Sequence, residues 1–161
     1  MAIGRCSCNR IISLSDLIKL SDAIHESNID LKINTVVSNL NVDEDLSPLY
    51  KALKPRKIKL FQMHLVDGIN DCAKSYEIVE SQFEAFCNRH KAFQSIMVAE
   101  PDGSMENSYL MVNPEGEFQL NNHGTYQSFG SLKSAPLHEI LKEAPMDSIK
   151  FESRYSKEIR V

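Results

Sequence analysis

The order of periodic segments constrains this chain more than any single motif does. Residues 12–26 carry Ile12, Leu14, Leu17, Ile18, Leu20, Ala23 and Ile24 at helical spacing. Ser13 or Ser15 suits the N-cap and Asp16 the first turn, while Asn28 suits the stop. Residues 31–37 then alternate and are rich in β-branched side chains. They predict a strand with Ile33, Thr35 and Val37 on one face and Lys32, Asn34 and Val36 on the other. Residues 43–53 run from acidic to apolar and stop before Pro55, which predicts a second helix. Residues 57–65 predict a second strand, with Lys57, Lys59, Phe61 and Met63 sharing a face. After a polar loop from Gly68 to Ser75, residues 80–90 predict a helix with Phe83, Phe86 and Cys87 inward. Helices and strands in alternation imply βα units and a parallel sheet.

The last third reads differently. Strands are expected at 93–99, 107–112 and 117–120, the latter two joined by a turn at Pro114-Glu115-Gly116. Residues 121–134 read as polar loop, 137–144 as a short helix, and 146–161 as a charged tail without clear period.

Composition sets outer limits. The 161 residues are 42% hydrophobic and 25% charged, ordinary for a soluble domain with a real core. A formal net charge of -4 argues against broad nucleic-acid binding, which needs a basic face. No apolar run approaches the ~20 residues of a membrane span. Residues 1–5 have no apolar core of a secretory signal, so the expected location is cytoplasmic and the expected thiols reduced. Cys6-Ser7-Cys8 is a weak metal signal, because zinc sites draw four ligands from two paired clusters. No metal site is expected within the chain. The five histidines show no paired ligand spacing and read as surface or helix-end residues.

The chemistry on offer lies on the strands. Lys32 and Asn34 share one face, and Lys57 and Lys59 repeat the arrangement on the next strand. Three ammonium groups and an amide on a concave sheet would suit a polyphosphate. A buried lysine is costly without an anion, so solvent or a ligand is expected beside it. The plainer alternative is edge-strand lysines that guard against aggregation. There is no P-loop and no G-x-G-x-x-G, and Asp43-Glu44-Asp45 reads as a solvated helix N-terminus.

Several segments together resemble the second half of viperins, the radical S-adenosylmethionine enzymes of antiviral defence. They are Lys32-Ile33-Asn34-Thr35-Val36-Val37, Asn41-Val42-Asp43-Glu44-Asp45, Lys51-Ala52-Leu53-Lys54-Pro55 and Phe61-Gln62. Phe83-Glu84-Ala85-Phe86 with Asn88-Arg89-His90 resembles the family's F-x-x-F-x-x-R-H helix. Asn107-Ser108-Tyr109-Leu110, residues 118–121 and Ile3-Gly4-Arg5 continue the likeness. The resemblance implies an α/β fold, the C-terminal portion of a partial (βα)6 radical-SAM barrel with a small β-rich extension. Residues 1–92 would form the second half of the barrel. Residues 93–161 would form the extension, packed with it as one domain.

The resemblance also implies a site. Lys32 and Asn34 would contact the nucleotide, Lys57 and Lys59 its triphosphate, and Tyr109 would stand near the reacting sugar as the catalytic candidate. Arg5 would meet the methionine carboxylate of S-adenosylmethionine, and Arg154 would belong to a tail that closes over the triphosphate. The family's reaction converts a nucleoside triphosphate to its 3′-deoxy-3′,4′-didehydro analogue, using S-adenosylmethionine and a 4Fe–4S cluster. The C-x3-C-x2-C cluster loop has no counterpart in this sequence, nor do strands one to four, so the chain alone is expected to be inactive. The absent half, or self-association through an open strand edge, is the expected protein partner. Alternatives are a stand-alone nucleotide-binding or protein-interaction module, or a fragment without function. Two departures bear on these: the family's I-G-R-G-x-G reads Ile3-Gly4-Arg5-Cys6-Ser7-Cys8, and Tyr155-Ser156 replaces a Gly-Gly.

Overall fold

The computed structural model describes residues 12–122 and 124–155, with only the helical placement given for 153–155. Arg5, Cys6 and Cys8 therefore lie outside the described residues, as does the side chain of Arg154.

The chain enters through α1 (Leu14–Glu26), whose cap is Ser13: its hydroxyl accepts from the Asp16 amide at 3.2 Å, and Asp16 accepts from the Ser13 amide at 3.1 Å. These reciprocal bonds satisfy amides that the first turn would leave orphaned. The helix α1 covers its apolar stripe only in part, with Leu17, Ile18 and Ile24 half-buried. Its one buried residue is Ser21, while Leu14 and Leu20 are exposed. Ser21 is small enough to let α1 approach α2 (Ser47–Leu53), and its hydroxyl donates to the Leu53 carbonyl at 2.7 Å. That carbonyl is one of the orphans at the end of α2.

Strands β1 (Lys32–Val37), β2 (Lys57–Gln62) and β3 (Met97–Glu100) form a parallel sheet in the order β1-β2-β3. Between β2 and β3 lies α3 (Glu80–Arg89), so each parallel pair is joined through a helix. Two boundaries move from the sequence reading: α2 starts at Ser47 rather than 43, and β2 ends at Gln62 rather than 65. The third strand comes from the stretch read as part of the β-rich addition. Parallel pairing puts partners on the same face, here Ile33 with Ile58 and Thr35 with Leu60. That face carries the main core of Val37, Val42, Tyr50, Ile58, Leu60, Ile78, Phe83 and Phe86.

The F-x-x-F-x-x-R-H helix explains itself here. Phe83 and Phe86 enter the core, and the two polar residues then hold the loop that leads into α2. Arg89 donates to the Val42 carbonyl at 2.8 Å. His90 is fully buried; its Nδ1–H donates to the Phe86 carbonyl at 2.8 Å and its Nε2 accepts the Leu46 amide at 2.9 Å. An amide can only donate, so the proton sits on Nδ1. His90 is a helix-end residue as expected, but it is not on the surface.

A second, antiparallel sheet has the order β4 (Met111–Val112), β5 (Glu117–Asn122), β6 (Thr125–Ser131). The turn at residues 113–116 joins β4 to β5 as expected, with Gly116 at φ 84°. Residues 107–110 are not strand, and residues 125–131 are strand rather than polar loop. The loop expectation failed because β6 is mostly polar and its two aromatics, Tyr126 and Phe129, are three apart and give no alternation. It is held by pairing with β5, whose Phe118 and Leu120 are buried with Ile140 of α4 (Leu137–Glu143). The tail is also more ordered than its sequence suggests. Residues Ser148–Tyr155 form α5, begun by the Asp147 carboxylate accepting the Lys150 amide at 2.9 Å. The described residues are thus mixed α/β, with one parallel and one antiparallel sheet.

Candidate functional site

The face of the parallel sheet turned away from the helices carries the polar residues singled out by sequence. Register sets Lys32 beside Lys57 and Asn34 beside Lys59, and alternation places all four on one face with Val36, Phe61, Val98 and Glu100. Lys32 and Asn34 are exposed on β1, Lys57 is half-buried, and Lys59 is buried on β2. Four of the expected site residues therefore do stand together. The aggregation-guard reading does not suit Lys57 and Lys59, because β2 is the central strand of the parallel sheet.

The anion beside the buried lysine belongs to the chain itself. Lys59 Nζ lies 3.0 Å from Glu100 Oε1, with side-chain exposures of 8% and 5%. The Tyr109 hydroxyl donates to Glu100 Oε2 at 2.7 Å. Glu100 ends β3, so the carboxylate bridges a cation of the parallel sheet and a phenol from the segment before β4. Solvent or a ligand was the expected counter-charge; a glutamate supplies it instead.

A second polar cluster adjoins the exits of β2 and β3. His64 binds the Asp102 carboxylate through Nδ1 and accepts from Asn121 Nδ2 through Nε2 at 2.7 Å. The Asp102 amide donates to Gln62 Oε1 at 3.2 Å, and Gln62 Nε2 donates to the Ile78 carbonyl at 3.0 Å. His64 is thus partly buried between the sheet and the extension, not a surface residue. Asn121 Oδ1 is buried without a hydrogen-bond partner, as is Asn107 Oδ1. In parallel α/β sheets, ligands bind outside the carboxyl ends of the strands, and Gln62 and Glu100 are the last residues of theirs.

Sequence reasoning missed Glu100, His64, Asp102, Gln62 and Asn121. The available signal was positional: a polar residue closes β2 and another closes β3. Reading β3 as ending at 99 left Glu100 just outside it. Asp147, just before α5, ties that helix to the segment before β4, its amide donating to the Asn107 carbonyl at 2.8 Å.

Among the described residues no group of three or more His, Cys, Asp or Glu could hold a metal ion. Cys72 is exposed and Cys87 packs on the core, where burial raises its thiol pKa. The described residues do not fit an iron–sulfur cluster, which takes three or four convergent thiolates. No described helix is long and apolar enough to cross a membrane.

Fold and site define an α/β protein with a cationic, partly open face on its parallel strands, closed at the carboxyl end by a buried carboxylate. Comparison with known proteins goes further. No protein-family model matches the chain. It is 36% identical over 160 residues to an S-adenosylmethionine-dependent nucleotide dehydratase of Psychrobacter lutiphocae, covering 96% of this chain and 52% of that protein. A protein of the same name from Flammeovirga pacifica is 33% identical over 137 residues, covering 84% of this chain and 47% of its own length. The Danio rerio dehydratase is 30% identical over 161 residues, covering 96% of this chain and 44% of its own length. The chain spans about half the length of the curated relatives it matches. It belongs to the viperin-like family.

Proposed function

We propose that this chain forms the nucleotide-facing part of a viperin-like S-adenosylmethionine-dependent nucleotide dehydratase of antiviral defence. The substrate is a nucleoside triphosphate, and the reaction yields its 3′-deoxy-3′,4′-didehydro analogue. The three parallel strands are closing strands of a partial (βα)6 barrel, with the β-rich extension packed against them as one domain. The observation that carries this reading is the register pairing Lys32 with Lys57 and Asn34 with Lys59 on one face. Lys32 and Lys57, the more open pair, neutralise phosphate oxygens, and Asn34 offers donor and acceptor to the nucleoside. Tyr109 stands by the sugar, at the extension's side of the face. Arg5 binds S-adenosylmethionine, and Arg154 meets the triphosphate.

S-adenosylmethionine with a 4Fe–4S cluster supplies radical chemistry in such enzymes. The sequence carries no C-x3-C-x2-C loop, so the expectation is that the chain alone binds nucleotide without turning it over.

Calorimetry with each of the four common nucleoside triphosphates and Mg²⁺ tests the binding. Heat of binding that weakens about tenfold or more in Lys32→Ala plus Lys57→Ala is the expected result. No heat with any of the four, or unchanged affinity in the double variant, removes the reading. Anaerobic reconstitution that yields stoichiometric iron and a charge-transfer absorption would overturn the claim that the chain alone lacks a cluster.

A further inference from the structure

Glu100 has no place in the site as the sequence describes it, yet it touches two of that site's members. Its Oε1 is 3.0 Å from Lys59 Nζ and its Oε2 accepts the Tyr109 hydroxyl at 2.7 Å. Lys59 sits mid-strand on the central strand, while Tyr109 comes from the segment before β4. One carboxylate therefore fixes, across the junction of sheet and extension, the distance between an ammonium and a phenol.

Stability alone is a weak reason for this arrangement. A buried ion pair costs about as much in desolvation as it returns in attraction, and apolar replacements are often as stable. What the pair does provide is geometry. A cation and a hydroxyl, both long and rotatable, are each held to one position by a shared acceptor. The location agrees, because Glu100 is the last residue of β3, at the carboxyl end of the parallel strands.

We infer that Glu100 is a positioning residue: it orients Lys59 and Tyr109 so that the site distinguishes a nucleoside triphosphate from a bare polyphosphate. This rests on the reading of the open sheet face as a nucleotide site. In that arrangement the Lys59 charge is already met by Glu100, so Lys59 adds less to phosphate attraction than Lys32 and Lys57 do. Its ammonium is instead presented to the sugar side of the ligand as a fixed donor, and the Tyr109 oxygen, whose proton goes to Glu100, as a fixed acceptor. A glutamate of this kind buys selectivity rather than affinity.

The test compares two probes, a nucleoside triphosphate and inorganic tripolyphosphate, on the unaltered chain and on Glu100→Gln and Glu100→Asp. Glu100→Gln removes the charge at constant shape. Its expected effect is tighter tripolyphosphate binding, because one negative charge beside the lysines of the sheet face is gone. The preference for nucleotide over tripolyphosphate falls about tenfold, the value of one charge-assisted hydrogen bond. Glu100→Asp keeps the ion pair and shortens the arm. It folds even if Glu100→Gln does not, and its preference for nucleotide falls by a similar factor with tripolyphosphate affinity unchanged. A merely structural role would lower the melting temperature and weaken both probes together. That outcome, or an unchanged preference in both variants, overturns the inference while leaving the nucleotide site standing. Failure of the unaltered chain to bind either probe overturns the site itself, and the positioning role with it.

Discussion

On one face of the parallel sheet, Ile33, Val37, Ile58 and Leu60 meet Tyr50, Phe83 and Phe86 with water excluded. On the other, Lys32, Asn34, Lys57 and Lys59 stand in register, grading from exposed at β1 to buried at β2. The same two strands build both faces by alternation, so the difference lies entirely in side-chain chemistry. Beside the apolar face the polar residues Arg89 and His90 bond backbone groups, Arg89 the Val42 carbonyl and His90 the Leu46 amide and the Phe86 carbonyl. On the polar face Lys59 and Glu100 are buried against each other, while Lys32 and Asn34 reach solvent. A polar residue in a recognisable motif is therefore not by itself a site residue.

The sharpest way to break this contrast is to compare the two central residues. Phe86→Ala opens a cavity and is expected to cost about 3–5 kcal/mol in urea unfolding. Lys59→Met breaks the buried pair with Glu100 and is expected to cost a similar amount, about 3–5 kcal/mol. A Lys59→Met loss near zero would mean the polar face is soft throughout, and the division between faces would fail. Lys32→Ala, on the exposed strand, should change stability by no more than about 0.5 kcal/mol in the same assay.

His90→Ala sits between these. It strips the Leu46 amide of its acceptor and the Phe86 carbonyl of a donor, an expected loss of about 1–3 kcal/mol. Restoration of the unfolding midpoint by His90→Gln, whose amide offers both a donor and an acceptor, would separate the hydrogen bonds from ring packing.

The smallest effect is on pH. Burial raises the pKa of the Cys87 thiol above its ordinary 9.0 and of the Tyr50 phenol above its ordinary 10.0, the latter opposed by the hydrogen bond with Thr35. Both groups hold their protons more tightly folded than unfolded. As pH climbs past the unfolded values, the unfolded chain loses protons first, so stability is full below pH 9.0 and declines above it. Urea midpoints between neutral and alkaline pH should show that decline, and Cys87→Ala should flatten it. Cys72, which is exposed, should alkylate well before Cys87.

The sequence made the parallel sheet legible because β1 and β2 alternate cleanly and α2 and α3 separate them. It also placed Lys32, Asn34, Lys57 and Lys59 on one face, since alternation is a local property. Glu100 and Tyr109 were not legible as a pair, because nothing local says that a strand end and a segment before the next sheet will meet. β6 escaped for a related reason: Thr125, Gln127 and Ser128 carry no apolar period, and pairing with β5 alone makes them a strand. Ser21 in α1 shows the same limit, since a small polar residue becomes the buried one only once α2 is beside it.

The tip of the β5–β6 hairpin has a tie whose consequence is dynamic. The Asp67 amide donates to the Gly124 carbonyl at 2.8 Å, and a Cβ on Gly124 would lie 3.3 Å from the Leu65 carbonyl. The hairpin tip and the exit loop of β2 are therefore laced together across the two sheets. In hydrogen exchange they should open as one cooperative unit, with the Asp67 amide exchanging at the rate of the hairpin's own pairing amides rather than at the rate of a surface loop.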